Sequence, residues 1–137
     1  MNTKLVLSWK EIEFYIDKLV TQIQKSNLEF KYITGIPRGG LIPAVLLSHK
    51  LNIPYLPFES VSGLFLFNQK DVLIVDDISD TGNTLFDIAD LKLATLLVRH
   101  TSKLFPDFYA EEIKDDSWIV FPWEQVSAPA IQDYLVQ

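Results

Sequence analysis

The sequence predicts an α/β fold: a doubly wound, mostly parallel sheet flanked by helices, in a single domain covering residues 1–137. Three observations carry that prediction. Short apolar strand candidates alternate with helix candidates, the connections between them are brief, and the strands are continuous apolar runs rather than alternating ones. Continuous runs are what strands covered on both faces require. A chain of 137 residues is also long enough to bury a hydrophobic core.

Each element has its own justification. Ser8-Trp9-Lys10-Glu11 is a capping box, in which Ser and Glu satisfy each other's backbone N–H groups at a helix start. Ile12, Tyr15, Ile16, Leu19 and Ile23 follow at helical spacing, so a helix with one apolar face should run to Ser26-Asn27. KYITG, Lys31 to Gly35, reads as a strand entering the turn IPRGG. Leu41 to Leu51 is helical in pattern, with Pro43 in the first turn, where a missing N–H is tolerated. IPYLPF, Ile53 to Phe58, is expected to be a strand near an edge or an end, because its prolines cannot donate to a ladder. Val61 to Gln69, with LFLF inside it, fits either one more strand or a partly exposed loop. Val72 to Val75 is the clearest buried strand. Thr84 to Leu91 reads as a helix, Leu93 to Val98 as another buried strand, FYAEEI and SWIVFPW as strand-like pieces, and Ala128 to Val136 as a short final helix.

Composition narrows the function. Apolar residues make up 48% and charged ones 22%, an ordinary globular balance. There is no Cys, which excludes disulfides and thiolate chemistry and fits a reducing cytoplasm. No apolar run approaches the roughly 18 residues that a membrane span needs. The N-terminus MNTKLVLSWKEIEFY lacks a signal-peptide layout. A net charge of −6 without a Lys/Arg cluster argues against nucleic acid as a partner. Any phosphate ligand must then be held by local backbone donors or a metal.

Ligands of doubly wound sheets bind beyond the carboxyl ends of the strands, at the switch point. Two segments fall there, Ile36 to Gly40 and Asp76 to Thr84. In Thr81-Gly82-Asn83-Thr84 the backbone turns at Gly82, two hydroxyls can donate, and a helix N-terminus follows, which together make a phosphate cradle. Taken alone, the same residues are also an ordinary helix N-cap. Asp76-Asp77 adds a constraint, because adjacent carboxylates are costly to leave buried and unpaired. They are suited to accept from the vicinal hydroxyls of a sugar, or to hold Mg²⁺ directly or through water. Acids for a diol just ahead of a phosphate cradle describe a ribose 5-phosphate site; a solvated strand end is the simpler alternative.

VLIVDDISDTGNTL, Val72 to Leu85, resembles the phosphoribosyl pyrophosphate signature of type I phosphoribosyltransferases. GIPRGGLIPA, Gly35 to Ala44, looks like the pyrophosphate loop of their purine branch, which includes xanthine-guanine and archaeal-like hypoxanthine phosphoribosyltransferases. DDSWIVFPWE, Asp115 to Glu124, looks like that branch's base-binding segment, and with SWKEIEFYIDKL the likeness covers most of the chain. The resemblance implies the type I fold with a small hood from the N- and C-terminal segments. It implies transfer of ribose 5-phosphate from phosphoribosyl pyrophosphate to guanine, xanthine or hypoxanthine, with Mg²⁺, by a cytoplasmic homodimer or homotetramer serving purine salvage.

The resemblance also implies roles. Asp80 would be the general base near the purine N7, Asp76 and Asp77 would bind the ribose hydroxyls, and Thr81, Gly82, Asn83 and Thr84 the 5-phosphate. Arg38, Gly39 and Gly40 would hold pyrophosphate in a loop that in the family often contains a non-proline cis peptide. Trp118 would stack on the purine and Ile119 would read its edge through main-chain groups. Arg99 stands where the family usually has a Lys contacting the purine O6; a planar fork is no neutral replacement for an ammonium. Asp77 and Glu124 are the candidate metal ligands, although a solvated acid is the simpler reading of Glu124, and His100 reads as a loop residue.

One departure matters. Relatives carry a long mobile loop before the phosphoribosyl strand, often with a Ser-Tyr pair and basic residues. Here Val61 to Asp71 is short, has no Ser-Tyr, and offers only Lys70 as a cation. A lost lid should cost rate or favour hydrolysis. A non-catalytic nucleotide sensor on the same fold is therefore the alternative function. A phosphoacceptor receiver domain fits less well, because its acid pair belongs after the first strand.

Overall fold

The structure, a computed structural model, describes residues 3–62, 69–82 and 91–124. In chain order it contains β1 (Lys4–Val6), α1 (Trp9–Lys25), β2 (Tyr32–Gly35), α2 (Leu41–Leu51), α3 (Phe58–Ser62), β3 (Val72–Ser79), β4 (Lys92–Arg99), β5 (Phe108–Ile113) and β6 (Trp118–Val120). A 3-10 turn at Gln69–Asp71 leads into β3. Strands β2, β3, β4 and β5 form one sheet in that order, every neighbouring pair parallel. β1 and β6 pair in parallel as a separate ribbon.

The capping box at the start of α1 forms as the sequence predicts. The Glu11 N–H donates to Ser8 Oγ at 3.2 Å, and the Ser8 N–H donates to Glu11 Oε1 at 3.0 Å. The five spaced apolar residues of α1 are all buried. α1 packs on β4 and β5, α2 on β2 and β3, and the two helices touch each other, so both lie on one sheet face. Leu73 and Val75 of β3 join that core; Val72 and Ile74 point the other way and pack with Val61, Leu91 and Leu93. This alternation explains why the first half of β3, Val72 to Val75, is apolar without a break, since each buried Leu, Ile or Val contributes about 1.5–3 kcal/mol.

A single bridge fixes the topology. Ile33 of β2 donates its N–H to Pro54 O at 2.9 Å and accepts at its carbonyl from the Leu56 N–H at 2.9 Å. With β3 on one edge of β2, Tyr55 must lie on the other. The chain therefore leaves β2 in one direction and returns past it to β3, which places the switch point between the carboxyl ends of β2 and β3.

Two expectations are corrected, and one strand was not foreseen. Ile53 to Phe58 is not a strand but this one bridge, followed by α3 from Phe58. Pro54 and Pro57 have no N–H to extend a ladder. β3 does not stop at Val75; it continues through Asp76 and Asp77 to Ser79, because β4 pairs with it as far as Ser79. β1 was not anticipated, being only three exposed residues that register on Trp118 to Val120. The LFLF segment, all of the expected Thr84 to Leu91 helix except Leu91, and the final helix Ala128 to Val136 lie outside the described residues.

Candidate active site

The turn after β2 is fastened to β3 by backbone. The Ile36 N–H donates to Val75 O at 2.9 Å, the Gly40 N–H to Ile36 O at 2.9 Å, and the Leu41 N–H to Arg38 O at 3.1 Å. The Pro37–Arg38 peptide is cis. The glycines here answer to close approach: a Cβ on Gly39 would overlap the Asp77 carboxylate, and one on Gly40 would meet the Ile36 backbone at 2.8 Å. Asp77 thus sits against the Arg38-Gly39-Gly40 loop. The Asp77 N–H donates to Asp76 Oδ1 at 2.9 Å, and the Ile78 N–H donates to Asp77 Oδ1 at 2.7 Å, so each carboxylate is oriented by the next residue's amide.

Beyond β3 the chain turns at Gly82, whose φ of +87° is in the region that favours glycine. A Cβ there would meet Leu104 N at 2.6 Å and Lys103 N at 2.9 Å, so the turn rests on residues 102–104. The Lys103 N–H donates to Thr81 O at 2.8 Å, and Ser79 Oγ donates to Leu104 O at 2.8 Å. Asn83 and Thr84, the other half of the expected phosphate cradle, lie outside the described residues.

Asp80 is half exposed and paired with Arg99, whose Nε donates to Asp80 Oδ1 at 2.9 Å. Arg99 itself is buried at the end of β4, with 8% of its surface exposed. Its Nη1 donates to Asp115 O at 2.8 Å and to Ser117 O at 3.0 Å. The turn supplying those carbonyls is closed by Asp115 Oδ1, which accepts from the Ser117 N–H at 3.0 Å and from Ser117 Oγ at 2.6 Å. The hydroxyl and amide of Ser117, and then the Arg99 charge, hold the Asp115 carboxyl below the usual carboxylate range.

Trp118 is half-buried, and its N–H donates to Thr3 O at 2.7 Å, so β1 fixes the segment that carries it. The Ile119 side chain lies in the core, which leaves main-chain groups as what this residue has for a ligand. Glu124 Oε1 accepts from the Phe121 N–H at 2.9 Å and so closes a turn. Trp123 stacks on Phe121 at 4.9 Å between centroids, with Trp9 at 6.0 Å on a tilt. Among the described residues no group of three His, Cys, Asp or Glu is placed to hold a metal alone. None of the described helices is long and apolar enough to cross a membrane.

The fold therefore brings Arg38, Gly39 and Gly40 to Asp77, and Asp80 to Arg99 and the approach to Trp118. Glu124 spends its carboxylate on the Phe121 N–H in its own turn. Ser102, Lys103, Leu104 and Ser117 support the site without having been singled out in the sequence. No local pattern marks Ser102, Lys103 and Leu104, whose partners Ser79 and Thr81 stand more than twenty residues away. Ser117, by contrast, bonds to Asp115 two residues before it, an Asp-x-Ser turn pattern that could have been read.

No protein-family model matches the chain. Among solved structures, it is 32% identical to the purine phosphoribosyltransferase of Pyrococcus horikoshii, over 94% of this chain and 97% of that one, with a TM-score of 0.75. A hypothetical protein of Neisseria gonorrhoeae, solved with bound ppGpp, is 21% identical over 93% of this chain and 92% of its own, with a TM-score of 0.76. The xanthine-guanine-hypoxanthine phosphoribosyltransferase of Helicobacter pylori is 22% identical over 88% of this chain and 93% of its own, with a TM-score of 0.68. The last two likenesses are of fold.

Proposed function

We infer the function from one premise: this chain belongs to the type I phosphoribosyltransferase family of enzymes, on its purine branch. On that footing it transfers ribose 5-phosphate from phosphoribosyl pyrophosphate to N9 of a 6-oxopurine, namely guanine, xanthine or hypoxanthine, for cytoplasmic purine salvage. The observation that carries the reading is the meeting of two loops at the switch point, with Asp77 against Gly39. One loop supplies Arg38 and backbone for pyrophosphate; the other supplies acids for the sugar and a cradle for its phosphate.

In the reaction N9 attacks C1 of the ribose as the bond from C1 to pyrophosphate breaks. The bonding electrons leave with pyrophosphate, and the purine loses one proton. Asp80 is the residue to take that proton at N7, being half exposed and held by Arg99 from one side. The guanidinium edge that carries Nε also carries Nη2, so Arg99 presents a donor beside Asp80. Purines with an oxygen at position 6 offer an acceptor next to N7, and adenine offers a donor there. That difference supports a 6-oxopurine. In this reading Arg38 neutralises the departing pyrophosphate, and Thr81 and Gly82 orient the 5-phosphate.

The donor set fits a magnesium ion. Mg²⁺ is held by one or two carboxylates together with substrate phosphates and water rather than by a protein cage. Asp77, at the pyrophosphate loop, is its ligand in this reading, and Glu124 is the weaker candidate. When bound, the ion would neutralise charge on the pyrophosphate.

A second reading, a nucleotide-responsive regulator on the same fold, draws on the short segment from Val61 to Asp71 and on the ppGpp bound by the Neisseria protein. One assay separates the two. Wild-type protein and Asp80→Asn are supplied with phosphoribosyl pyrophosphate, Mg²⁺ and each of hypoxanthine, guanine and xanthine. The enzyme reading expects nucleotide from wild type and a loss of about 10²–10⁴-fold in kcat for the variant. Bound phosphoribosyl pyrophosphate with no nucleotide from any base would leave the regulator.

A further inference from the structure

We propose that Arg99 is a positioning residue that ties the general base to the base-binding segment, so that Asp80 and Trp118 are held as one unit. The proposal rests on the functional reading above and goes beyond a contact between Arg99 and the purine. Its partners come from separate parts of the chain. Nε reaches Asp80 just past β3 at 2.9 Å, and Nη1 reaches the carbonyls of Asp115 and Ser117 just before β6 at 2.8 and 3.0 Å.

The strut is fixed at its root and at the turn it reaches. The Arg99 main chain is in the β4–β5 ladder, in register with Ile113. The turn that offers the carbonyls is closed by Asp115 and Ser117. Burial strengthens the arrangement: an Arg side chain that is only 9% exposed must keep its partners, because a buried charge that loses one is costly. A planar fork with donors on two edges fixes the angle between Asp80 and the turn. A Lys ammonium is a single point on a flexible stem and cannot span both sides in the same way. The purine in this site is therefore gripped by a base and a platform whose separation one side chain sets.

The test uses Arg99→Lys and Arg99→Gln in the full chain, read in two ways. The first is backbone amide hydrogen exchange. Ser117 and Trp118 should exchange about tenfold faster or more in both variants, while Ile33 and Leu97 of the central sheet stay protected. Unchanged exchange at Ser117 and Trp118 overturns the proposal. The second is steady-state kinetics. Misplacing the base relative to Asp80 should lower kcat/KM for the purine about a hundredfold in Arg99→Lys, with KM for phosphoribosyl pyrophosphate within about twofold. A KM for phosphoribosyl pyrophosphate that rises about a hundredfold as well would overturn the positioning role. If the Arg99 variants fail to fold, Ser117→Ala loosens the strut from its acceptor end and is read in the same way. A wild type without any turnover would sink the functional reading alone, since the exchange measurement still decides the strut.

Discussion

At the scale of single residues, the site is a set of charges whose neighbours decide what they can do. Asp80 lies beside a buried guanidinium, Asp77 beside a glycine, and Asp115 beside a serine that donates twice to it. The last arrangement has a pH signature. The folded state holds the Asp115 carboxyl below its ordinary range, so its stabilisation is fully present above the unfolded-state value and is lost as pH falls through the folded one. The difference in melting temperature between wild type and Asp115→Asn should therefore be constant from about pH 7 to about pH 5 and should shrink below about pH 4. Thermal melts across that range check it; a difference that grows towards acid would contradict the assignment. The family resemblance put Arg99 in the site, where relatives usually carry a Lys. It did not reveal the partners, because two of them are main-chain carbonyls, which no side-chain pattern encodes.

At the scale of elements, legibility followed the strength of the local signal. The capping box and the apolar stripe of α1 are local, and both formed as read. β1 was invisible because three residues ending at Val6 have no pattern until β6 pairs with them. The length of β3 was underestimated for a related reason: acids at Asp76 and Asp77 look like a strand's end, and only pairing with β4 carries the strand past them. The Pro-Arg-Gly-Gly turn was legible as a loop, whereas the need for Gly39 comes from Asp77, across the sheet. Gly39→Ala places a methyl group in the Asp77 carboxylate, an overpacking that costs about 1–3 kcal/mol, so affinity for phosphoribosyl pyrophosphate should fall about tenfold or more. Titration calorimetry reads this directly, and an unchanged affinity would remove the loop from the pyrophosphate site.

At the scale of the molecule, topology joins two loops that are 36 residues apart between Gly40 and Asp76. The chain passes β2 on one edge at Tyr55 and on the other at β3, and the reversal opens a crevice at the carboxyl ends of both strands. In an acidic molecule with a net charge of −6, Arg38 and the start of α2 stand at that reversal, where the proposed pyrophosphate would lie. The α/β order was readable because strand and helix periods alternate along the chain. The reversal was readable only as a general property of such sheets until Ile33 was seen to bond on both sides of Tyr55. The central claim is that this crevice transfers a phosphoribosyl group to a purine rather than only holding it. The most direct measurement is the stoichiometry of pyrophosphate and nucleotide released from phosphoribosyl pyrophosphate, with and without a 6-oxopurine. Transfer predicts pyrophosphate release that depends on the purine and matches nucleotide mole for mole. Pyrophosphate released at the same rate without purine, or none released from bound phosphoribosyl pyrophosphate, would contradict it.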